Sequence, residues 1–221
     1  MLVSISISYS YPMNKFIKLC LPLLAVSCIT AQAQTPITPA NPGFENGAEE
    51  GWSMWVPSDS KEVNCHRALS KENPHSGAAC LKLTADQFSR FSVSPKQTFS
   101  VQSGERYRIS FWIRGMAEIA ANNPGFIARI TLSPTSPGIG GNGTDLYNLS
   151  LDGKLKVNGV PSYTSGIPSL WTRVSSVVGI PDGVNKMSLG LFMVQAKGDV
   201  FLDDVSVEKV DSNTPLSEID K

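Results

Sequence analysis

The chain has 221 residues, with 19 Lys and Arg balanced by 19 Asp and Glu, and its 18 glycines and 15 prolines supply turn formers in quantity. Charged residues are 17%, below the roughly 25% of an average soluble protein, which excludes a disordered polyampholyte and a charge-rich helical repeat. A formal net charge of zero lacks the cationic surplus that neutralises nucleic-acid phosphates, and the length suits one ordinary domain.

Residues 1–33 read as an export signal. From Met13, Met-Asn-Lys-Phe-Ile-Lys makes a short basic start, an apolar run follows from Leu19 to Ile29, and Ala31-Gln32-Ala33 forms a small-residue cleavage site before Gln34. Met13 is then the expected true start. The run falls well short of the ~20 residues that span a bilayer, and no later stretch approaches that length, so no transmembrane segment is expected. A second processing route is open, because Ala25-Val26-Ser27-Cys28 resembles a lipoprotein cleavage box in which Cys28 carries the lipid. Either route makes the protein secreted or periplasmic. Cleavage after Ala33 removes Cys20 and Cys28 and leaves Cys65 and Cys80, an even pair in an exported chain and so an expected disulfide. The alternative, a tetrahedral zinc site, needs both His66 and His75 to join that pair, at intervals that match no familiar finger.

Past residue 35, alternation of period two dominates. Strands are predicted over Ala79 to Thr84, Thr98 to Gln102, Arg106 to Arg114, Ile127 to Leu132, Thr172 to Gly179, Lys186 to Gln195 and Val200 to Val207, with turn clusters such as Pro181-Asp182-Gly183 between them. In the third of these, Tyr107, Ile109, Phe111 and Ile113 form the dry face, and Arg108, Ser110, Trp112 and Arg114 form the other. The pattern predicts an all-β sandwich over residues 34–210. Gly115 to Asn122 reads as a short helical piece, Ser133 to Thr144 as a long loop, and residues 211–221 as a disordered tail.

Catalytic chemistry finds little support. Both histidines lie between Cys65 and Cys80, no Gly-x-Ser-x-Gly elbow occurs, and the acidic pairs Glu49-Glu50 and Asp203-Asp204 are adjacent, so their side chains diverge on an extended chain. The chain is therefore expected not to be an enzyme.

Several segments carry a more specific signal. Asn41-Pro42-Gly43-Phe44-Glu45-Asn46-Gly47 followed by Gly51-Trp52 opens the domain, and Gly198-Asp199-Val200-Phe201-Leu202-Asp203-Asp204-Val205-Ser206-Val207 closes it. With His75-Ser76-Gly77 ahead of Leu81, Trp171 ahead of another strand and Tyr107 to Trp112 in the middle, the sequence resembles the carbohydrate-binding modules of families 4, 9 and 22, which are jelly-roll β-sandwiches of the galactose-binding-like type. The resemblance implies a structural calcium held by Glu45 and Asp203, with Asp204 as the alternative ligand if the strand register differs by one residue. Glu45 and Asp203 would otherwise cap turns or pair with Lys82. It also places Trp52 and Trp171 as core-plugging tryptophans.

Sugar-binding modules stack pyranose rings on outward aromatics and hydrogen-bond hydroxyls with polar side chains. Strand parity selects Trp112, Arg114, Arg129 and Phe192 as residues of one concave sheet face, with Tyr147, Asn148 and Tyr163 at its rim. Trp112 and Phe192 have a second reading, as aromatics covered by a loop, and Trp55 lies in a segment that could border the cleft. The expected function is a secreted non-catalytic module that binds polysaccharide or glycan chains, alone or beside a glycoside hydrolase or the cell surface. The alternative is a structural or adhesive surface protein that keeps the sandwich without sugar binding.

Overall fold

The computed structural model describes residues 37–57, 65–134, 145–159, 161 and 166–220. Residues 1–33, which include Cys28 and the expected export signal, most of the Ser133 to Thr144 segment and Tyr163 lie outside the described residues. Among those residues every regular element is a strand: β1 Trp52–Trp55, β2 Cys65–Ser70, β3 Cys80–Pro95, β4 Phe99–Ser100, β5 Arg106–Ile119, β6 Gly125–Ser133, β7 Asp145–Leu149, β8 Leu155–Val157, β9 Thr172–Gly179 and β10 Lys186–Val210. No helix among them is long and apolar enough to cross a membrane.

Two long strands build both layers of the sandwich. The first half of β10 pairs with β6 and with the second half of β3, and its second half pairs with β5 and with the first half of β3. Layer one thus runs β1-β3-β10-β6-β7-β8, and layer two runs β2-β3-β10-β5-β9. The crossing point lies at the bulges between Val194 and Gly198, where Gln195 has a φ of 50° and Gly198 a φ of 123°. A bulge adds an unpaired residue and bends the strand, which is how a strand changes sheets at a sandwich corner. Gly198 is required there, since a Cβ on it would lie 2.4 Å from the Met116 carbonyl oxygen and 3.0 Å from Ala117 Cα.

The predicted dry face of β5 is in the core. Tyr107, Ile109, Phe111 and Ile113 are buried, and Phe111 meets Phe126 of β6 at 5.8 Å between ring centroids, which joins the two layers. Trp52 is fully buried, as expected. It packs on Phe44 and donates its indole N–H to the Asn41 carbonyl at 3.1 Å, so the opening motif closes one end of the core.

The structure corrects four expectations. Gly115 to Ile119 continues β5 as strand, because it pairs with Ala196 to Val200 of β10. The strands predicted at Lys186 and Val200 are one element. Residues 211–220 are not a free tail: Leu155 N–H bonds Glu218 O, Asp220 N–H bonds Leu155 O, and Ser217 N–H bonds Val177 O. That segment covers the exposed edges of β8 and β9, where unpaired backbone groups would otherwise invite another chain. Finally, Cys65 and Cys80 are free thiols. On the β2–β3 hairpin Cys65 stands opposite Ala85 and Cys80 opposite Ser70, which at about 3.3 Å per residue separates them by roughly 16 Å, far beyond the ~7 Å limit of a disulfide. Burial pushes the Cys80 thiol up to about 11.

Candidate functional site

The outer face of layer one carries an aromatic and guanidinium cluster. Registers across β1, β3, β10 and β6 set Trp55, Ser92, Phe192 and Ile127 side by side, and the adjacent row brings Ser94, Gly190, Arg129 and Asn148 together. Because Gly190 has no side chain, the Phe192 ring settles over it; a Cβ there would meet Phe192 Cε2 at 2.7 Å. Trp55 is 48% exposed and its ring centroid lies 6.4 Å from that of Phe192, tilted by 59°. Arg129 and Arg90 place their guanidinium carbons 4.7 and 5.8 Å from the Phe192 centroid. Arg129 Nε donates to Asn148 Oδ1 at 3.0 Å, and Asn148 Nδ2 donates to the Gly159 carbonyl, which fixes the guanidinium against the sheet. Burial, and then the charge of Arg90, hold the Arg129 pKa below its ordinary value.

The outer face of layer two is filled by the chain itself. Trp112 stacks on the His75 imidazole at 3.7 Å between centroids and 18° between planes, and Trp171 meets the same imidazole edge-on at 5.9 Å. Arg114 lies 3.8 Å over the Phe201 ring and donates to the Glu72 carbonyl, while its buried Nε has no hydrogen-bond partner among the described residues. Trp171 donates its indole N–H to the Asn73 carbonyl at 2.8 Å. Residues 72–75 therefore close over Trp112 and Arg114. Trp171 belongs to this outer cluster and not to the core, a departure from what the resemblance implied.

At one end of the sandwich, Glu45, Asp203 and Asp204 gather around the turn after Pro74. Asp203 is fully buried; its Oδ2 accepts the N–H groups of His75 at 2.9 Å and Ser76 at 3.2 Å, and its Oδ1 accepts the Asp204 N–H at 2.9 Å. Burial pushes the Asp203 carboxyl up to about 6; the Ser76 N–H opposes that rise and the Asp204 charge adds to it. Asp204, at a φ of 46° beside a bulge, turns its carboxylate to His75 Nδ1 at 2.7 Å and to Ser76 Oγ at 2.8 Å. Glu45 accepts the Ala78 N–H at 3.1 Å. A Cβ at Gly43 would lie 3.5 Å from Oδ1 of both Asp203 and Asp204, so the opening motif runs beside both carboxylates. Such oxygens are the donors calcium prefers. Among the described residues, however, no three His, Cys, Asp or Glu side chains form a cluster fit to hold a metal, so carbonyls would have to complete the ligand set.

The structure thus does not bring the four predicted sugar ligands together. Arg129 lies on β6 and Phe192 on the first half of β10, in layer one, whereas Trp112 and Arg114 lie on β5 in layer two. All four do point away from the core, but the two outer faces look in opposite directions. Tyr147 is only 8% exposed and pairs with Ile130 on the core side of β7, so it is not a rim residue. Asn148, its neighbour, is on the Phe192 face. Arg90 was missed, although it alternates with Phe91 and Val93 in the same strand.

No protein-family model matches the sequence, and no curated protein does. Solved structures do match. The Stig cyclase Fisc from Fischerella sp. TAU is 12% identical over 84% of this chain and 100% of its own, at a TM-score of 0.54. The enzymatically active domain of bacteriophage CBA120 tailspike protein 4 is 11% identical over 79% of this chain and 22% of its own, at 0.52. The CBM22-1 and GH10 modules of Clostridium thermocellum xylanase 10B, complexed with xylohexaose, are 11% identical over 81% of this chain and 29% of their own, at 0.51. The chain spans under a third of the tailspike and xylanase structures. What it shares with all three is the fold, a jelly-roll β-sandwich.

Proposed function

We propose that this protein is an exported, non-catalytic carbohydrate-binding module whose glycan lies on the outer face of layer one. The observation that carries the reading is the Trp55–Phe192 pair with Arg129 and Asn148 beside it. Aromatic rings offer their faces to the C–H surfaces of a pyranose, and the neighbouring guanidinium and amide groups serve its hydroxyls. The layer-two cluster is the weaker candidate because His75 already occupies the stacking surface of Trp112.

Affinity gels containing a panel of polysaccharides test this. Phe192→Ala is expected to weaken retention by about tenfold, the loss of roughly 1.4 kcal/mol of stacking. Trp112→Ala, in protein that remains folded by circular dichroism, is expected to leave retention unchanged. The reverse pattern would move the site to layer two.

The same reading includes a structural calcium that ties the opening motif to β10 through Glu45 and Asp203, with Asp204 as the alternative ligand. The approach of the Gly43 backbone to the Asp203 and Asp204 carboxylates and the all-oxygen donors support it. A ligand that binds only the native state raises the melting temperature by mass action. Saturating chelator is therefore expected to lower the melting temperature by several degrees, about 2–4 °C for each 1 kcal/mol lost in a domain of this size. An unchanged melt would remove calcium from the account and leave the glycan site standing.

A further inference from the structure

We infer that the glycan bound on layer one is acidic, with its anionic groups held by Arg90 and Arg129 from the two strands that flank Phe192. The inference rests on the glycan site proposed above. The strand segments on either side of Phe192, β1, residues 89–95 of β3, β6 and residues 186–194 of β10, contain no Asp or Glu, and Asp145 of β7 stands opposite the buried Leu132, in the register of the core side. Two guanidinium groups nonetheless converge there on one aromatic ring, at 4.7 and 5.8 Å.

Of the other arginines, Arg106, Arg114 and Arg173 are held by neutral oxygens of the Thr214 and Glu72 carbonyls and the Ser110 hydroxyl, whereas Arg67 finds an acid in Glu49 at 3.4 Å and Arg108 in Glu208 at 3.8 Å. Among the described residues neither Arg90 nor Arg129 has such a partner, and Asn148, a neutral amide, is what orients Arg129. Half-burying a guanidinium beside a like charge disfavours its charged state, which is the direction of the Arg129 shift. An anion delivered by a ligand would offset both the desolvation and the repulsion. A neutral glycan would leave them in place. Charge-assisted hydrogen bonds from arginine suit a uronate carboxylate and a sulfate ester alike, while Phe192 takes the sugar ring that carries the group.

Affinity electrophoresis of the mature chain separates the possibilities, with polygalacturonate, dextran sulfate and neutral galactan as probes. Retention by polygalacturonate assigns a carboxylate and retention by dextran sulfate a sulfate ester; either supports the inference if it falls at least about tenfold in Arg90→Gln/Arg129→Gln and in Phe192→Ala. It should also weaken between low and physiological salt, since exposed charges are screened over about 8–10 Å. Arg90 is exposed, so Arg90→Gln alone keeps the test valid if the Arg129 variant unfolds. Galactan retained as well as polygalacturonate, and indifferent to Arg90→Gln, would overturn the acidic inference while sparing the glycan site. Acidic polymers retained equally with and without Phe192 would show plain ion exchange and overturn it too. Retention by none of the probes, nor by a wider glycan panel, would bring down the glycan site itself.

Discussion

Asp203→Ala is expected to destabilise the fold by about 2–4 kcal/mol, because it leaves the His75, Ser76 and Asp204 N–H groups without their shared acceptor. Those bonds connect β10 to a turn some 128 residues away in sequence, and Asp203 has no water-facing surface from which a solvent molecule could replace the carboxylate. Removing the charge does relieve the desolvation that raises the carboxyl pKa to about 6, so part of the loss is returned. Asp203→Asn separates the contributions. It keeps the shape and one accepting oxygen but points an amide donor at another donor, and about half the loss of the alanine variant is expected. Urea unfolding of the three proteins measures the differences. If calcium is bound, the chelator effect on melting should vanish in both variants, which a purely hydrogen-bonding role would not produce.

Gly198→Ala is expected to cost about 2–4 kcal/mol, through a backbone conformation foreign to L side chains and a collision with β5. The φ of 123° accounts for part of this, and the Met116 carbonyl at 2.4 Å from the new Cβ for the rest. Since the neighbour is backbone and not a flexible side chain, β5 must shift or the β10 crossing must straighten. Gly183→Ala is the control. It has a φ of 81° with nothing within 4 Å of the added Cβ, so only the conformational cost of about 1 kcal/mol should appear. Equal melting temperatures for the two variants would contradict the role assigned to the crossing.

The sequence carried the strands well where one face is dry. Thr172–Gly179 has the predicted bounds, and the alternation of Tyr107 to Ile113 matches their burial. It carried the layers poorly, for a physical reason. Alternation tells which side chains leave the core, but a sandwich has two outer faces, and only pairing partners say which one a strand presents. Trp112 and Phe192 both leave the core and still face apart, because β10 crosses between layers at bulges that interrupt its period. Coverage was also invisible. His75 lies 37 positions from Trp112 in the numbering, and nothing local to either residue signals that the imidazole stacks on the indole. Residues 211–220 look like a tail by composition, yet their backbone bonds to β8 and β9 answer unpaired edges elsewhere in the chain. The disulfide expectation used compartment and parity of count, and the hairpin register overrules both.

Backbone amide chemical-shift mapping of the isotope-labelled protein, titrated with a binding oligosaccharide, tests the central claim most directly. The account requires the perturbed amides to cluster at Ser92, Arg129, Gly190 and Phe192, with those of His75, Trp112 and Trp171 unmoved. Shifts confined to the His75, Trp112 and Trp171 amides would contradict it.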